Sequence, residues 1–364
     1  MIRVFIYTYK KFSSPTYVLG LLRGLWEQAG NEIKKLQRRS AICYFLEQWF
    51  ESQFVDFELG PIMAITQHWI KSMAPEHTTF LLPKLLSLEQ ILNGRNATKS
   101  LFSEVLPSME TKKGLLGKGL SLRDLDPEDV AHYYTLLDVE GMQATTIEEF
   151  WDIFPDNNFQ KLIERGKRFS LWVASEIVKE ADPVRRVEVM YFVLKVASCM
   201  LELNNMNGVM WTWLGLNHKA LEKLNQTREK LPTAAKEIYS QVSKLCTFQK
   251  VLKEVTLTEL KKVKDEKLKF VIPWFKSFER AFTNIEISYN DVVLHPEAGL
   301  PLLNYEKMFQ YAQQINSFSQ YQALLYPLAI KKSYTQNEAV LKEFLMGLPV
   351  LAEAEIGALV DSLE

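Results

Sequence analysis

Asn204, Asn205 and Asn207 fill three of four consecutive positions inside an apolar, helix-patterned stretch, LELNNMNGVMWTWLGLN at residues 201–217. Each amide carries two donors and an acceptor with two lone pairs. Asparagine is a mediocre helix former because its amide competes with the backbone for hydrogen bonds. An amide buried without partners costs about 1–3 kcal/mol. Three of them where leucines would be more stable call for a reason beyond packing.

The remaining residues with reactive side chains form no catalytic constellation. There is no G-x-x-x-x-G-K-[ST] phosphate loop, no G-x-S-x-G elbow and no H-E-x-x-H pair. Gly114, Gly117 and Gly119 have the wrong order for a dinucleotide fingerprint and read as a flexible linker. The histidines at 68, 77, 132, 218 and 295 are scattered, so no metal site and no cofactor is expected. Cys43, Cys199 and Cys246 are too far apart for a zinc pattern or a disulfide framework and read as reduced, buried thiols. The run KKVKDEKLK at 261–269 reads as a solvated loop. Tryptophans and phenylalanines are abundant, Trp211, Trp213, Trp274 and Phe275 among them, and most read as core. No covalent mechanism emerges; if the protein catalyses anything, the expectation is that it does so by binding and deforming a partner.

Composition narrows the partner. The chain has 364 residues, 47% apolar and 24% charged, which fits a soluble globular protein of two or three domains. A formal net charge of −1 gives no global field for nucleic acid or an anionic membrane. The most apolar stretch, residues 187–203, is interrupted by Glu188, Lys195 and Glu202 and does not reach bilayer length. Together with the thiols this points to the cytoplasm. The opening residues, MIRVFIYTYKKF, lack the architecture of a cleavable signal and read as the middle of a folded element, as in a piece of a longer protein.

The elements that must position these residues are helices. Val187, Met190, Leu194, Ala197 and Leu201 recur at three- and four-residue steps, and similar stripes run through 15–30, 38–54, 60–73, 126–140, 159–180, 232–254, 303–325 and 337–362. Alternating strand patterns are scarce and hairpin signals absent, so the expected fold is all-α. Asp126-Pro127 and Asp182-Pro183 read as helix starts, a capping acid followed by proline at the first helical position; Pro232-Thr233 reads as a third. Connectors fall at 74–96 and, with three glycines within six positions, at 107–122.

Several segments in this order resemble the Ras-type guanine nucleotide exchange factors, a Ras exchanger motif followed by a helical exchange domain. FIYTYKKFSSPTYVLGLL at 5–22 and FLEQWFESQFVDF at 45–57, with Trp49 and the Asp56-Phe57 pair, are similar to the exchanger motif. The resemblance implies an opening helix upstream of these segments, which is expected to be lacking here. DLDPEDVAHYYTLLDVE at 124–140 resembles the first helix of the exchange domain, with Tyr133-Tyr134 where glutamine-leucine is usual. FSLWVASEIV at 169–178 and the stretch 182–217 are the strongest match. Residues 302–322 resemble the helix after the catalytic hairpin, and 344–364 the closing segment. The implied division is an exchanger-motif domain with its connector at 1–106, a linker at 107–122 and the exchange domain at 123–364. The larger domain would carry a protruding helical hairpin and pack with the smaller.

The resemblance implies a function and a set of residues. The function is promotion of GDP release from a Ras-family small GTPase, of Ras or Rap type, by anchoring switch II and displacing switch I with the hairpin. No enzyme chemistry is involved. The GTPase is the partner, and membrane association comes through it or through flanking domains. The alternative is a catalytically weak or inactive scaffold that binds a GTPase or another signalling partner. Ile163, Ser198, Asn205, Phe248 and Trp274 fall at GTPase-binding positions; Ser198 is smaller than the usual apolar residue. Asn205, Phe248 and Trp274 would form a pocket for an aromatic side chain of switch II. Asn205 would face the groove while Asn204 and Asn207 tie helices; the other reading makes all three ties. On the hairpin, gap-free alignment puts Thr283 and Ile287 where the family has an apolar residue and an acid. A shift of one residue puts Phe282 and Glu286 there, at the same four-residue spacing.

Overall fold

The computed structural model describes residues 1–58, 61–73, 83–84, 86–91, 93, 122, 125–151, 157–247, 271–297, 299–323 and 338–363. Most of the connector at 74–96 with His77, nearly all of the linker at 107–122 with its three glycines, Phe248 and the lysine run at 261–269 lie outside them. Among the described residues the fold is all-α apart from one short two-stranded ribbon. The chain divides into two compact units, Met1–Glu110 with Phe282–Asn316, and Thr111–Ala281 with Ser317–Glu364.

The first unit opens with α1 (Ile2–Thr8), α2 (Pro15–Glu27), α3 (Glu32–Ser52), α4 (Val55–Glu58) and α5 (Ile62–Met73). Ser14 caps α2 by accepting from Tyr17 N at 3.3 Å, with Pro15 at the first helical position. The apolar faces close over one core that includes Tyr9, Trp26, Leu46, Trp49, Phe50, Phe57 and Trp69. At its centre the Asp56 carboxylate accepts from Tyr9 OH at 2.5 Å and Trp49 Nε1 at 2.7 Å, and pairs with Lys10.

Residues of the second unit build α6 (Pro127–Ala144), α7 (Asn158–Lys179), α8 (Pro183–Glu202), α9 (Met206–Leu216), α10 (Asn225–Glu229) and α11 (Thr233–Thr247). The two acid-proline starts form as expected: Asp126 accepts from Glu128 N at 2.8 Å and Asp182 from Val184 N at 3.0 Å. Helix α7 buries Phe159, Ile163, Gly166, Phe169, Val173 and Ile177, a stripe at helical spacing that packs against α9. The approach is close because glycine faces the contact from each side. A Cβ on Gly166 would lie 2.0 Å from Trp211 Nε1, and one on Gly215 2.6 Å from the Ser170 carbonyl oxygen. Gly215→Ala is therefore expected to lower unfolding free energy by about 1–3 kcal/mol, the cost of overpacking against a backbone atom that cannot rotate away. Chemical denaturation of the two proteins measures it.

Two sequence expectations are corrected. The stretch at 337–362 is two helices, α14 (Glu338–Met346) and α15 (Glu353–Val360), because Gly347 and Pro349 end the first. The hairpin also contains strands. It consists of α12 (Phe275–Ser288), β1 (Val292–Leu294), β2 (Pro301–Leu303) and α13 (Tyr305–Ala323). Val292 pairs with Leu303 and Leu294 with Pro301, antiparallel, and Gly299 takes φ 61° in the turn. The strands VVL and PLL have no alternation to reveal them, since all six side chains are exposed.

Candidate functional site

The asparagine cluster lies at the break between α8 and α9. Asn204 takes φ 53°, a left-handed turn that asparagine tolerates better than most side chains. Asn205 then caps α9, its Oδ1 accepting from Gly208 N at 2.8 Å. The same turn holds the chain that leads into the hairpin: Ile272 N donates to Asn204 O at 3.1 Å and Met206 N donates to Ile272 O at 3.0 Å. Three residues on, Phe275 N at the start of α12 donates to Asn207 Oδ1 at 3.4 Å. Trp211 Nε1 donates to the same oxygen at 3.1 Å.

A buried acid organises these amides. Asp138 of α6 is fully buried. Its Oδ2 accepts from Asn205 Nδ2 at 3.1 Å and Asn207 Nδ2 at 3.0 Å, and its Oδ1 from Arg165 Nη2 at 2.7 Å. Asn205 Nδ2 also donates to Thr135 Oγ1 at 3.0 Å. Asn205 is 0% exposed with its donors and acceptor engaged inside the unit, so its amide does not face outward as one sequence reading had it. The energy of burying it is met by internal hydrogen bonds.

The other expected binding positions of this unit differ in exposure. Ile163 is buried in the α7 stripe, and Ser198 on α8 is half-buried. Trp274 is 9% exposed, and its Nε1 has no hydrogen-bond partner among the described residues. Phe318 of α13 meets Phe150, Phe159 and Phe278 with ring centroids 5.0–5.9 Å apart, which fixes the lower part of the hairpin.

The outer part of the hairpin belongs to the first unit. Phe282 is buried and stacks on Tyr311 of α13 at 5.4 Å. Glu286, one turn on, receives Lys307 Nζ at 2.6 Å, Lys11 Nζ at 3.0 Å and the Tyr311 hydroxyl. Asp291 receives the same two lysines, at 2.9 and 3.2 Å. Lys11 also lies 5.0 Å over the Tyr311 ring. Thr283 and Ile287 are on the other side of α12; both are exposed, Ile287 at 79%. The one-residue shift thus selects the pair that faces α13, and gap-free alignment selects the pair that faces solvent.

Charge follows from this geometry. Burial alone would raise the Glu286 pKa, but hydrogen bonds from Lys307, Tyr311 and Lys11 outweigh it and hold the carboxyl below its usual range. Lys307 bonding does the same for Asp291. Burial opposes the charge on Lys307, yet Asp291 and Glu286 together keep its pKa above the ordinary lysine value. A depressed acid contributes stability above its unfolded pKa, about 4.3 for glutamate, and loses it as pH falls through the folded value. Acid is therefore expected to loosen this end of the hairpin below about pH 4. Denaturation midpoints measured between neutral pH and the acid limb should flatten in Glu286→Gln.

The sequence pointed to Glu286 and Phe282 but not to Lys11, Lys307, Asp291 or Tyr311, which are ordinary surface types until α13 returns. Asp138 had a signal that went unread: an acid in the apolar run YYTLLDVE. The thiols offer no chemistry here. Burial pushes Cys43 up to about 11 and Cys246 up to about 12, so both stay protonated at neutral pH. No group of histidine, cysteine and acid side chains among the described residues is arranged to hold a metal.

The model of the RasGEF domain family matches residues 129–309, from α6 through the asparagine turn and the hairpin into α13. The chain contains a RasGEF domain. Among similar proteins, Ras guanine nucleotide exchange factor A of Dictyostelium discoideum is 24% identical over 67% of this chain and 42% of its own length. Ras guanine nucleotide exchange factor S of the same organism is 22% identical over 100% of this chain and 36% of its own. RAS guanyl-releasing protein 1 of Xenopus laevis is 22% identical over 63% and 29%. The chain thus spans less than half the length of these relatives. The RasGEF match includes both the amide-lined turn and the ion-paired end of the hairpin, so it runs across the division between the two compact units.

Proposed function

We propose that this RasGEF chain accelerates GDP release from a Ras-family small GTPase of Ras or Rap type. Residues around Trp274, with Ile163, Ser198 and Asn205 lining or supporting the site, anchor switch II. The hairpin displaces switch I. The observation that carries this reading is the hairpin itself: its root is bonded to the asparagine turn and its outward side offers Thr283 and Ile287. In this reading Glu286 and Phe282 keep the hairpin in shape, and Thr283 and Ile287 meet the GTPase.

The energetics define what the contact must achieve. A partner that binds the nucleotide-free GTPase more tightly weakens nucleotide binding by the same factor. Acceleration on the order of 10⁵ requires about 7 kcal/mol of differential stabilisation. Loops ordered by phosphate and magnesium are the segments most easily prised away. Three free thiols, and no helix among the described residues long and apolar enough to cross a membrane, fit work in the cytoplasm with recruitment through the GTPase.

The test is release of fluorescent GDP from a panel of Ras, Rap, Ral and Rho-type GTPases, with Glu286→Ala and Trp274→Ala as controls. Acceleration of a Ras or Rap member supports the proposal. Folded protein that accelerates none of them overturns it. One feature favours a second reading, a weak or inactive scaffold that still binds a GTPase. Glu286, the acid nearest the expected phosphate-facing position, is engaged by two lysines and a tyrosine, while the exposed position beside it holds Ile287. Binding of nucleotide-free GTPase without accelerated release would select that reading.

A further inference from the structure

We infer that Asp138 is a positioning residue for nucleotide release, acting through Asn207 on the root of the hairpin; the inference rests on the exchange reading above. A carboxylate only accepts hydrogen bonds. With Asp138 Oδ2 facing both amides, Asn205 and Asn207 must each turn Nδ2 towards it. Their oxygens then face away. Asn207 Oδ1 meets the N–H of Phe275 and the indole N–H of Trp211, and Asn205 Oδ1 meets Gly208 N. The acid therefore sets the polarity of an amide whose oxygen receives the first backbone donor of α12. That donor has no partner within its own helix. One residue before it stands Trp274, and two before that Ile272, bridged to Asn204 and Met206.

An asparagine at 138 keeps the shape but removes this constraint. One side of its amide is a donor, so Asn207 is free to flip and would then aim its NH₂ at the N–H groups of Phe275 and Trp211. Donor against donor is repulsive, and the root of α12 would lose its fixed seat. Misplacement of a reacting or displacing group by about 1 Å can cost on the order of 10²-fold in rate.

Arg165 separates positioning from mere stability. It touches the opposite oxygen, Oδ1, and the Leu137 carbonyl, and makes no contact with Asn207 or α12 among those described. Arg165→Gln removes the cation beside the fully buried Asp138, keeps an N–H donor that can face Oδ1, and leaves both amide contacts to Oδ2. Asp138→Asn leaves the arginine without its anion, so the double variant Asp138→Asn/Arg165→Gln is included to remove the unpaired charge.

The experiment has two readouts on folded protein. The first is the maximal rate and half-saturation of stimulated fluorescent-GDP release, measured with the panel member that the wild-type chain accelerates. The second is amide hydrogen exchange of residues 272–276 in the free protein. Arg165→Gln should lower the denaturation midpoint but keep the maximal rate within about twofold. Asp138→Asn and the double variant should lose about tenfold or more of the maximal rate, with half-saturation little changed. Their exchange at 272–276 should quicken by about tenfold, and that of Arg165→Gln should not. If the double variant folds and matches wild type in both readouts, the inference is overturned. It is equally overturned if Arg165→Gln loses as much rate and protection as Asp138→Asn. If the wild-type chain accelerates no GTPase, the exchange reading fails, and hydrogen exchange alone then decides whether Asp138 seats the hairpin.

Discussion

Trp274→Ala is expected to slow stimulated GDP release by about 30- to 1,000-fold. The figure corresponds to an aromatic anchor contributing about 2–4 kcal/mol at the centre of an interface. Trp274 stands between the Ile272 bridge and the first residue of α12, so its backbone is held on both sides. Its indole is largely buried, yet its N–H has no partner among the described residues. A buried donor without a partner costs about 1–3 kcal/mol, and a carbonyl on the bound switch II would relieve that cost. Truncating a buried aromatic also costs about 3–5 kcal/mol of stability. Trp274→Phe is therefore the companion variant, since it keeps an aromatic ring and most of the apolar volume while removing the donor. It should fold near wild type and lose about tenfold in rate, the size of one hydrogen bond. Rates would be compared only after denaturation curves show both variants folded. A folded Trp274→Ala protein with wild-type release kinetics would remove this residue from the binding site.

Asp56→Ala is expected to destabilise the first unit by about 3–5 kcal/mol, the usual cost of breaking a buried ion pair from one side. The carboxylate is fully buried and satisfies three groups together: the Tyr9 hydroxyl, the Trp49 indole and the Lys10 ammonium. Alanine would take the shared acceptor of the Tyr9 hydroxyl and the Trp49 indole out of a ring-packed core, where the two rings meet edge to face at 5.5 Å. It would also remove the Asp56 carboxylate from beside the Lys10 ammonium. Asn at the same position keeps an acceptor and should recover part of the loss, so the difference between the two variants isolates the charge. Tyrosine and tryptophan fluorescence during denaturation would report this unit, and equal midpoints for wild type and Asp56→Ala would refute the prediction. The consequence reaches function, because Lys11 follows Lys10 directly and bonds Glu286. Loosening Asp56 should therefore also weaken the ion pairs around the hairpin end.

Much of the architecture was legible in the residues. Helical stripes such as Phe159, Ile163, Phe169 and Val173 are local in origin, since 3.6-residue periodicity needs no knowledge of the partner helix. Acid-proline starts at 126–127 and 182–183 are also local, because capping joins groups two or three residues apart. The same holds for the ordered segments that resemble RasGEF proteins. The ribbon at 292–303 was not legible. Its strands are too short to alternate, and they are held by a pairing across a turn rather than by burial.

Which side chains meet was decided only by the tertiary structure. The chain places Asn205 and Asn207 side by side, but whether an amide faces a partner or a buried acid depends on Asp138, about seventy positions earlier. Likewise, Phe282 and Thr283 are adjacent in sequence and lie on different sides of α12, and only the return of α13 with Tyr311 and Lys307 turns the first inward. The physical reason is the range of the forces involved. Hydrophobic periodicity and helix caps act between near neighbours and are written in short stretches of sequence. Buried hydrogen bonds and ion pairs join residues that the fold alone brings within 3 Å, so their roles are fixed when the helices pack.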